Sequence, residues 1–84
     1  MTYLGEETLV KKEKSIYHFI GSFIEEKHYS PAIMDIAKGV GVSPGTVPLY
    51  LQKLKGKGLI NFVESSSRSI VLTKYDYRLV EKVS

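Results

Sequence analysis

The side chains of this chain that could do chemistry together lie between Ser43 and Gly56. Gly45, Thr46, Leu49, Gln52, Lys53 and Gly56 recur at intervals that, at ~100° per residue, gather them on one side of a helix. Thr46 and Gln52 offer donors and acceptors that can bond a base edge, and Lys53 offers a cation for a phosphate. Gly45 lets a partner approach the backbone, and Leu49, apolar yet outward, fits a thymine methyl. A second group is Ser65-Ser66-Ser67-Arg68, three small hydroxyls and one of the chain's two arginines. Arginine is favoured where phosphates concentrate negative potential, as in a narrow minor groove. The chemistry implied is non-covalent recognition of a polyanion with readable edges. A solvated face with one stray leucine, and a plain polar turn, explain the same residues without any partner.

Other chemistries have little support. The chain has no cysteine, which excludes disulfides, thiolate nucleophiles and cysteine metal sites. His18 and His28 do not make a metal site unaided, and no nucleophile–base pair or phosphate-cradling glycine loop stands at readable spacing. No enzyme, metal or cofactor is therefore expected. RNA binding would need clustered aromatics for stacking, and Tyr3, Tyr29, Tyr75 and Tyr77 are dispersed. With 12 Lys+Arg against 9 Asp+Glu the net charge is +3, a weak pointer to a polyanion. Its distribution is sharper: Lys38, Lys53, Lys55 and Lys57 face only Asp35 between residues 28 and 63. The longest uncharged stretch, Gly39 to Gln52, is broken by Pro44 and Pro48 and is no membrane span. Glu6 and Glu7 stand where a signal peptide would be basic, so a cytoplasmic protein without membrane attachment is expected.

The elements that position the first group follow from periodicity. Ile16, Tyr17, Phe19, Ile20, Phe23 and Ile24 form an apolar stripe, predicting a helix from Val10 to Lys27 with Lys11, Lys14, His18, Ser22 and Glu25 outward. Ser30-Pro31 reads as an N-cap and first-turn pair starting a second helix, Pro31 to Val40, with Ile33, Ile36, Ala37 and Val40 inward. Gly41 supplies a left-handed turn, and Ser43-Pro44 repeats the start signal for a third helix to Lys57, closed by Gly56 and Gly58. In that helix Val47, Tyr50, Leu51 and Leu54 point inward, opposite the polar group. Leu59–Val63 and Ser69–Thr73, separated by a polar turn, read as a hairpin whose Ile60, Phe62, Ile70 and Leu72 face the helices. The fold expected is α+β, a winged helix-turn-helix of three helices and a two-stranded wing, in one domain of 84 residues with its core at residues 9–73. The tail, residues 74–84, fits a helical stripe through Tyr75, Leu79 and Val83 as well as a strand through Tyr75, Tyr77 and Leu79.

From Leu9 to Thr73 the chain resembles the N-terminal DNA-binding domain of LexA-type repressors. The resemblance rests on Leu9-Val10, Ile16-Tyr17-x-Phe19-Ile20-x-x-x-Ile24, Tyr29-Ser30-Pro31 and Asp35-Ile36-Ala37-x-x-Val40-Gly41-Val42-Ser43. It continues through Leu51-x-x-Leu54-x-x-Lys57-Gly58-x-Ile60 and Arg68-Ser69-Ile70-x-Leu72. It implies a repressor whose third helix reads double-stranded DNA half-sites as a homodimer, with contacts at Ser43, Gly45, Thr46, Pro48 and Leu49. Three features depart from the family. The turn before the third helix is one residue shorter, Pro48 falls inside the predicted helix, and the family's polar recognition side chains are replaced by Pro48 and Leu49. A target sequence therefore does not transfer. The family's self-cleaving serine–lysine protease domain has no counterpart before Ser84, so cleavage-driven release is not expected within this chain. For dimerisation, Met1–Leu4 and Tyr75–Val83 hold the unassigned apolar residues.

The expected function is a sequence-specific DNA-binding transcriptional regulator, with Ser43, Gly45, Thr46, Pro48, Leu49, Gln52, Lys53, Ser67 and Arg68 as its contact residues. A winged-helix protein-interaction module, such as an assembly subunit or antirepressor, is the alternative, supported by the modest charge, the outward Leu49 and the apolar tail.

Overall fold

The computed structural model describes residues 11–66 and 68–73; Leu9-Val10, Ser67 and the tail at 74–84 lie outside the described residues. The order is α1 (Lys11–Lys27), α2 (Ile33–Val40), α3 (Val47–Gly56), β1 (Ile60–Asn61) and β2 (Val71–Leu72). The strands pair antiparallel, Ile60 opposite Leu72 and Asn61 opposite Val71. This is a winged helix-turn-helix. No helix among the described residues is long and apolar enough to cross a membrane.

The core is where periodicity puts it. Ile16, Tyr17 and Ile20 of α1 meet Ile36 and Ala37 of α2, Val47, Leu51 and Leu54 of α3, and Leu59, Ile60 and Ile70 of the hairpin. Phe62 and Leu72 pack on its edge, so the hairpin presents one side to the helices. Ile33 departs from expectation, being 38% exposed rather than inward. It is the first residue of its helix and lies at the rim of a groove instead of under α1.

The helix starts also differ from the sequence reading. Ser30-Pro31 does not cap α2: the N-cap is Ala32, whose N–H donates to the Asp35 carboxylate at 2.9 Å. Ser30 is buried, and its hydroxyl donates to the Pro31 carbonyl at 2.9 Å while accepting the Ile70 N–H at 3.0 Å. A serine able to bond a distant strand is satisfied without capping its neighbour. Gly41 behaves as expected, adopting φ 84° while its N–H donates to the Ala37 carbonyl at 2.9 Å.

The third helix starts at Val47 rather than Pro44. Residues 43–46 form a turn in which the Thr46 N–H donates to the Ser43 carbonyl at 3.0 Å. The later start removes the difficulty with Pro48, which now occupies the first helical turn, where backbone N–H groups have no intrahelical acceptor to lose. The strands are shorter than expected, two residues each. Beyond them a side chain replaces the ladder: Ser69 Oγ accepts the Val63 N–H at 2.8 Å and donates to the Val63 carbonyl at 3.0 Å.

Gly39 of α2 has a role its sequence pattern does not show. A Cβ there would run into the ring of Phe19 on α1, so the missing side chain sets how closely the two helices cross. Alanine is the better helix former by ~1 kcal/mol, yet overpacking against an aromatic ring costs more. Gly39→Ala is expected to destabilise the domain by about 1–2 kcal/mol net, read from the urea midpoint. A stabilised variant would mean that the Phe19 ring moves aside freely.

Candidate nucleic-acid interface

The outward side of α3 carries Leu49, Gln52, Lys53 and Gly56 as expected. Gly45 and Thr46, expected on the same helix, lie in the turn before it because the helix starts only at Val47. Gly45, Pro48, Leu49, Gln52, Lys53 and Gly56 are exposed and Thr46 is half-buried, while Val47, Leu51 and Leu54 are buried beneath them. Leu49 is 64% exposed, the most exposed of the large hydrophobic residues among the described residues. Nothing lies within 4 Å of the position a Cβ would take on Gly45, so the backbone there is open to a partner. The hydroxyls of Ser43 and Thr46 bond each other at 2.8 Å across the turn that leads into the helix.

The cations are less interchangeable than their clustering implies. Lys57 reaches the buried Glu13 of α1, Nζ to Oε1, at 2.7 Å. Lys55 donates to the Phe62 carbonyl at 3.4 Å, with its ammonium 4.8 Å from the centre of the Phe62 ring. Lys53 extends along the outward face, its ammonium 5.7 Å from the centre of the Tyr50 ring. Gln52 is tied to the wing, its amide donating to Glu64 at 2.7 Å. Glu64 thus places a negative charge beside the face that sequence pattern marks as polyanion-binding.

Arg68 is not a free wing-tip cation. Its guanidinium donates to the Ser30 carbonyl at 2.9 Å, meets the Asp35 carboxylate at 3.0 Å and lies 5.2 Å from the centre of the Tyr29 ring. The Ala32 N–H above all, helped by the Arg68 guanidinium and by Lys38, holds the Asp35 carboxyl below its ordinary value against the opposing effect of burial. With a depressed native value, the stabilisation is in place above the unfolded-state value. It is lost as pH falls through the native one, which makes it an acid-sensitive contact. Ser67 lies outside the described residues.

Between the start of α2, α3 and the wing lies a groove of about 560 Å³, walled by Ile33, Met34, Pro48, Leu51, Phe62 and Val63. Leu49 is not among the residues that wall it. Among the described residues no group of three or more histidine, aspartate or glutamate side chains could hold a metal ion.

Four features escaped sequence reasoning: the Glu13–Lys57 pair, the Asp35–Arg68 pair, the Gln52–Glu64 bond and the Gly39–Phe19 contact. One signal was present for the first: Glu13 lies one helical turn before Tyr17, on the stripe that carries Tyr17 and Ile20 into the core.

The family described as LexA DNA binding domain matches residues 6–69, a span that takes in all three helices, β1 and the stretch up to the start of β2. The chain belongs to that family. The LexA repressor of Thermosipho africanus is 38% identical over 66 residues, covering 79% of this chain and 33% of its own length. That of Listeria monocytogenes is 41% identical over 61 residues, 71% of this chain and 30% of its own. The LexA repressor of Clostridium botulinum is 37% identical over 62 residues, 73% of this chain and 31% of its own. This LexA-type domain therefore spans about a third of the length of the curated relatives it matches. Its wing is closed by β2 just beyond the matched span, through the pairing of Val71 with Asn61.

Proposed function

We propose that this LexA-type domain is the DNA-reading part of a transcriptional repressor, and that it lays the outward side of α3 in the major groove of double-stranded DNA. The reading is carried by that exposed side: a helix whose opposite face is locked into the core presents Leu49, Gln52 and Lys53, with Gly45 and Thr46 in the turn that leads into it. Thr46 and Gln52 address base edges, Gln52 by exchanging its bond to Glu64, and Leu49 packs on a thymine methyl. Lys53 meets a phosphate. Gly45 and Pro48 border the backbone approach, and the Ser43 hydroxyl, bonded to Thr46 across the turn that leads into α3, offers a phosphate contact beside them. The wing, with Ser67, lies along the flanking backbone, and Arg68 stands at its base. Two copies on a two-fold site would read two half-sites, in the cytoplasm on nucleoid DNA.

Fluorescence anisotropy with random duplex DNA at about 50 and 200 mM salt is the first test, since several phosphate contacts cost orders of magnitude in affinity across that range. On a site selected from a random library, Thr46→Ala and Leu49→Ala are expected to weaken specific binding by about 1–3 kcal/mol each while sparing general binding. Lys53→Ala is expected to weaken both and to reduce the salt slope by about 1. Equal losses on selected and random DNA for all three would refute the groove assignment.

The exposed apolar residues Ile33, Met34 and Val63 around the groove favour a second reading, a protein-interaction module. In that case duplex DNA would show no binding even at low salt.

A further inference from the structure

The wing of this domain has little of its own to hold it. Its two strands are two residues long, and an isolated two-stranded ribbon is at best marginally stable in water. Its placement depends on what it is fastened to: Gln52 and Lys55 of α3 bond Glu64 and the Phe62 carbonyl, and the fastenings of its returning arm converge on residues 29–35. The Ile70 N–H donates to the buried Ser30 hydroxyl at 3.0 Å, and Arg68 Nη1 donates to the Ser30 carbonyl at 2.9 Å. The same Nη1 meets Asp35 Oδ2 at 3.0 Å, and that oxygen also accepts the Ala32 N–H at 2.9 Å. The Tyr29 ring underlies the guanidinium and continues into Phe23 of α1, with ring centres 5.5 Å apart. One carboxylate at the start of α2 therefore orders the first turn of that helix and grips the wing.

We infer that the Asp35–Arg68 pair is a latch that sets the position of the wing relative to α3, making both positioning residues for DNA binding. It rests on the DNA-reading function proposed above. Arg68 serves that function through Asp35, not as a phosphate contact. Both contacts are made by one terminal nitrogen, Nη1, whose two N–H groups diverge within the guanidinium plane, so a carbonyl and a carboxylate are held at once. A phosphate contact would have to compete with a carboxylate already at bonding distance.

The two roles predict opposite outcomes when Asp35 loses its charge. Asp35→Asn keeps an acceptor for the Ala32 N–H but gives up the ionic grip on Arg68. If the pair is a latch, D35N binds duplex DNA about two- to fivefold more weakly although it removes a negative charge. R68Q then weakens binding by a similar factor, the double variant is no worse than R68Q, and all three keep the wild-type salt slope. Hydrogen exchange at the Ile70 N–H is faster in each. If Arg68 instead touches a phosphate, D35N binds as tightly as wild type or tighter and R68Q reduces the salt slope by about 1, which overturns the latch. Should the wild-type protein not bind duplex DNA at all, the DNA-reading function falls, and the Ile70 N–H decides the latch alone. Accelerated exchange in D35N and R68Q then supports it, and unchanged exchange overturns it.

Discussion

Replacing Lys57 by methionine is expected to destabilise the domain by about 3 kcal/mol, the range seen when one partner of a buried ion pair is removed. Glu13 is 2% exposed and its carboxylate lies 2.7 Å from the Lys57 ammonium. Methionine keeps most of the lysine stem and its packing, so the substitution isolates the charge. Without that charge a desolvated carboxylate in α1 faces a thioether. The pair joins residues 44 apart in sequence, clamping the first turn of α1 to the residue that follows α3. A domain of this size holds roughly 5–10 kcal/mol in all, so the melting temperature is expected to fall by roughly 15 °C. A drop of only a degree or two would mean that the pair is incidental. Combining Lys57→Met with Glu13→Leu is expected to recover much of the loss, because an apolar pair of similar volume avoids desolvating any charge.

The second large effect is on binding. Leu49→Glu is expected to lower affinity for duplex DNA about 100-fold, equivalent to about 2.7 kcal/mol, while leaving the melting temperature within a few degrees of wild type. Leu49 is 64% exposed and outside the core, so little packing is lost. A carboxylate there would face the phosphates bordering the groove, and like charges brought together at an interface cost several kcal/mol. It would also lie one helical turn before Lys53, at the spacing of an intrahelical ion pair, and so neutralise the cation on the same face. Both effects act on DNA and neither on the fold. Titration at low salt beside a thermal melt separates them, and unchanged affinity with an intact fold would remove α3 from the DNA. Leu49→Ala is the milder companion, costing specific binding alone.

The two variants mark the boundary between what is legible in the residue order and what is not. The outward face of α3 is a local property: the interval between Val47, Leu51 and Leu54 determines which side is buried, and Leu49, Gln52 and Lys53 are left on the other. The same holds for the stripe of α1, the turn at Gly41 and the hairpin after Gly58. Local signals failed where one motif serves two structures. Ser-Pro starts a helix or an irregular segment equally well, and the helix began only after two further residues beyond Ser30 and three beyond Ser43.

What the sequence by itself determined is the element order, the core-facing positions and the LexA-like pattern, because helix and strand periods act over a few residues. Only the tertiary structure decided which charges meet. Glu13 with Lys57, Asp35 with Arg68 and Gln52 with Glu64 are pairs brought together by folding, and each could have had other partners on residue type alone. Three groups that composition counts as surface charges or polar tips are thereby committed inside the domain. The physical reason is that an ion pair or hydrogen bond is set by ångström distances across packed elements, and that geometry exists only once the core has closed.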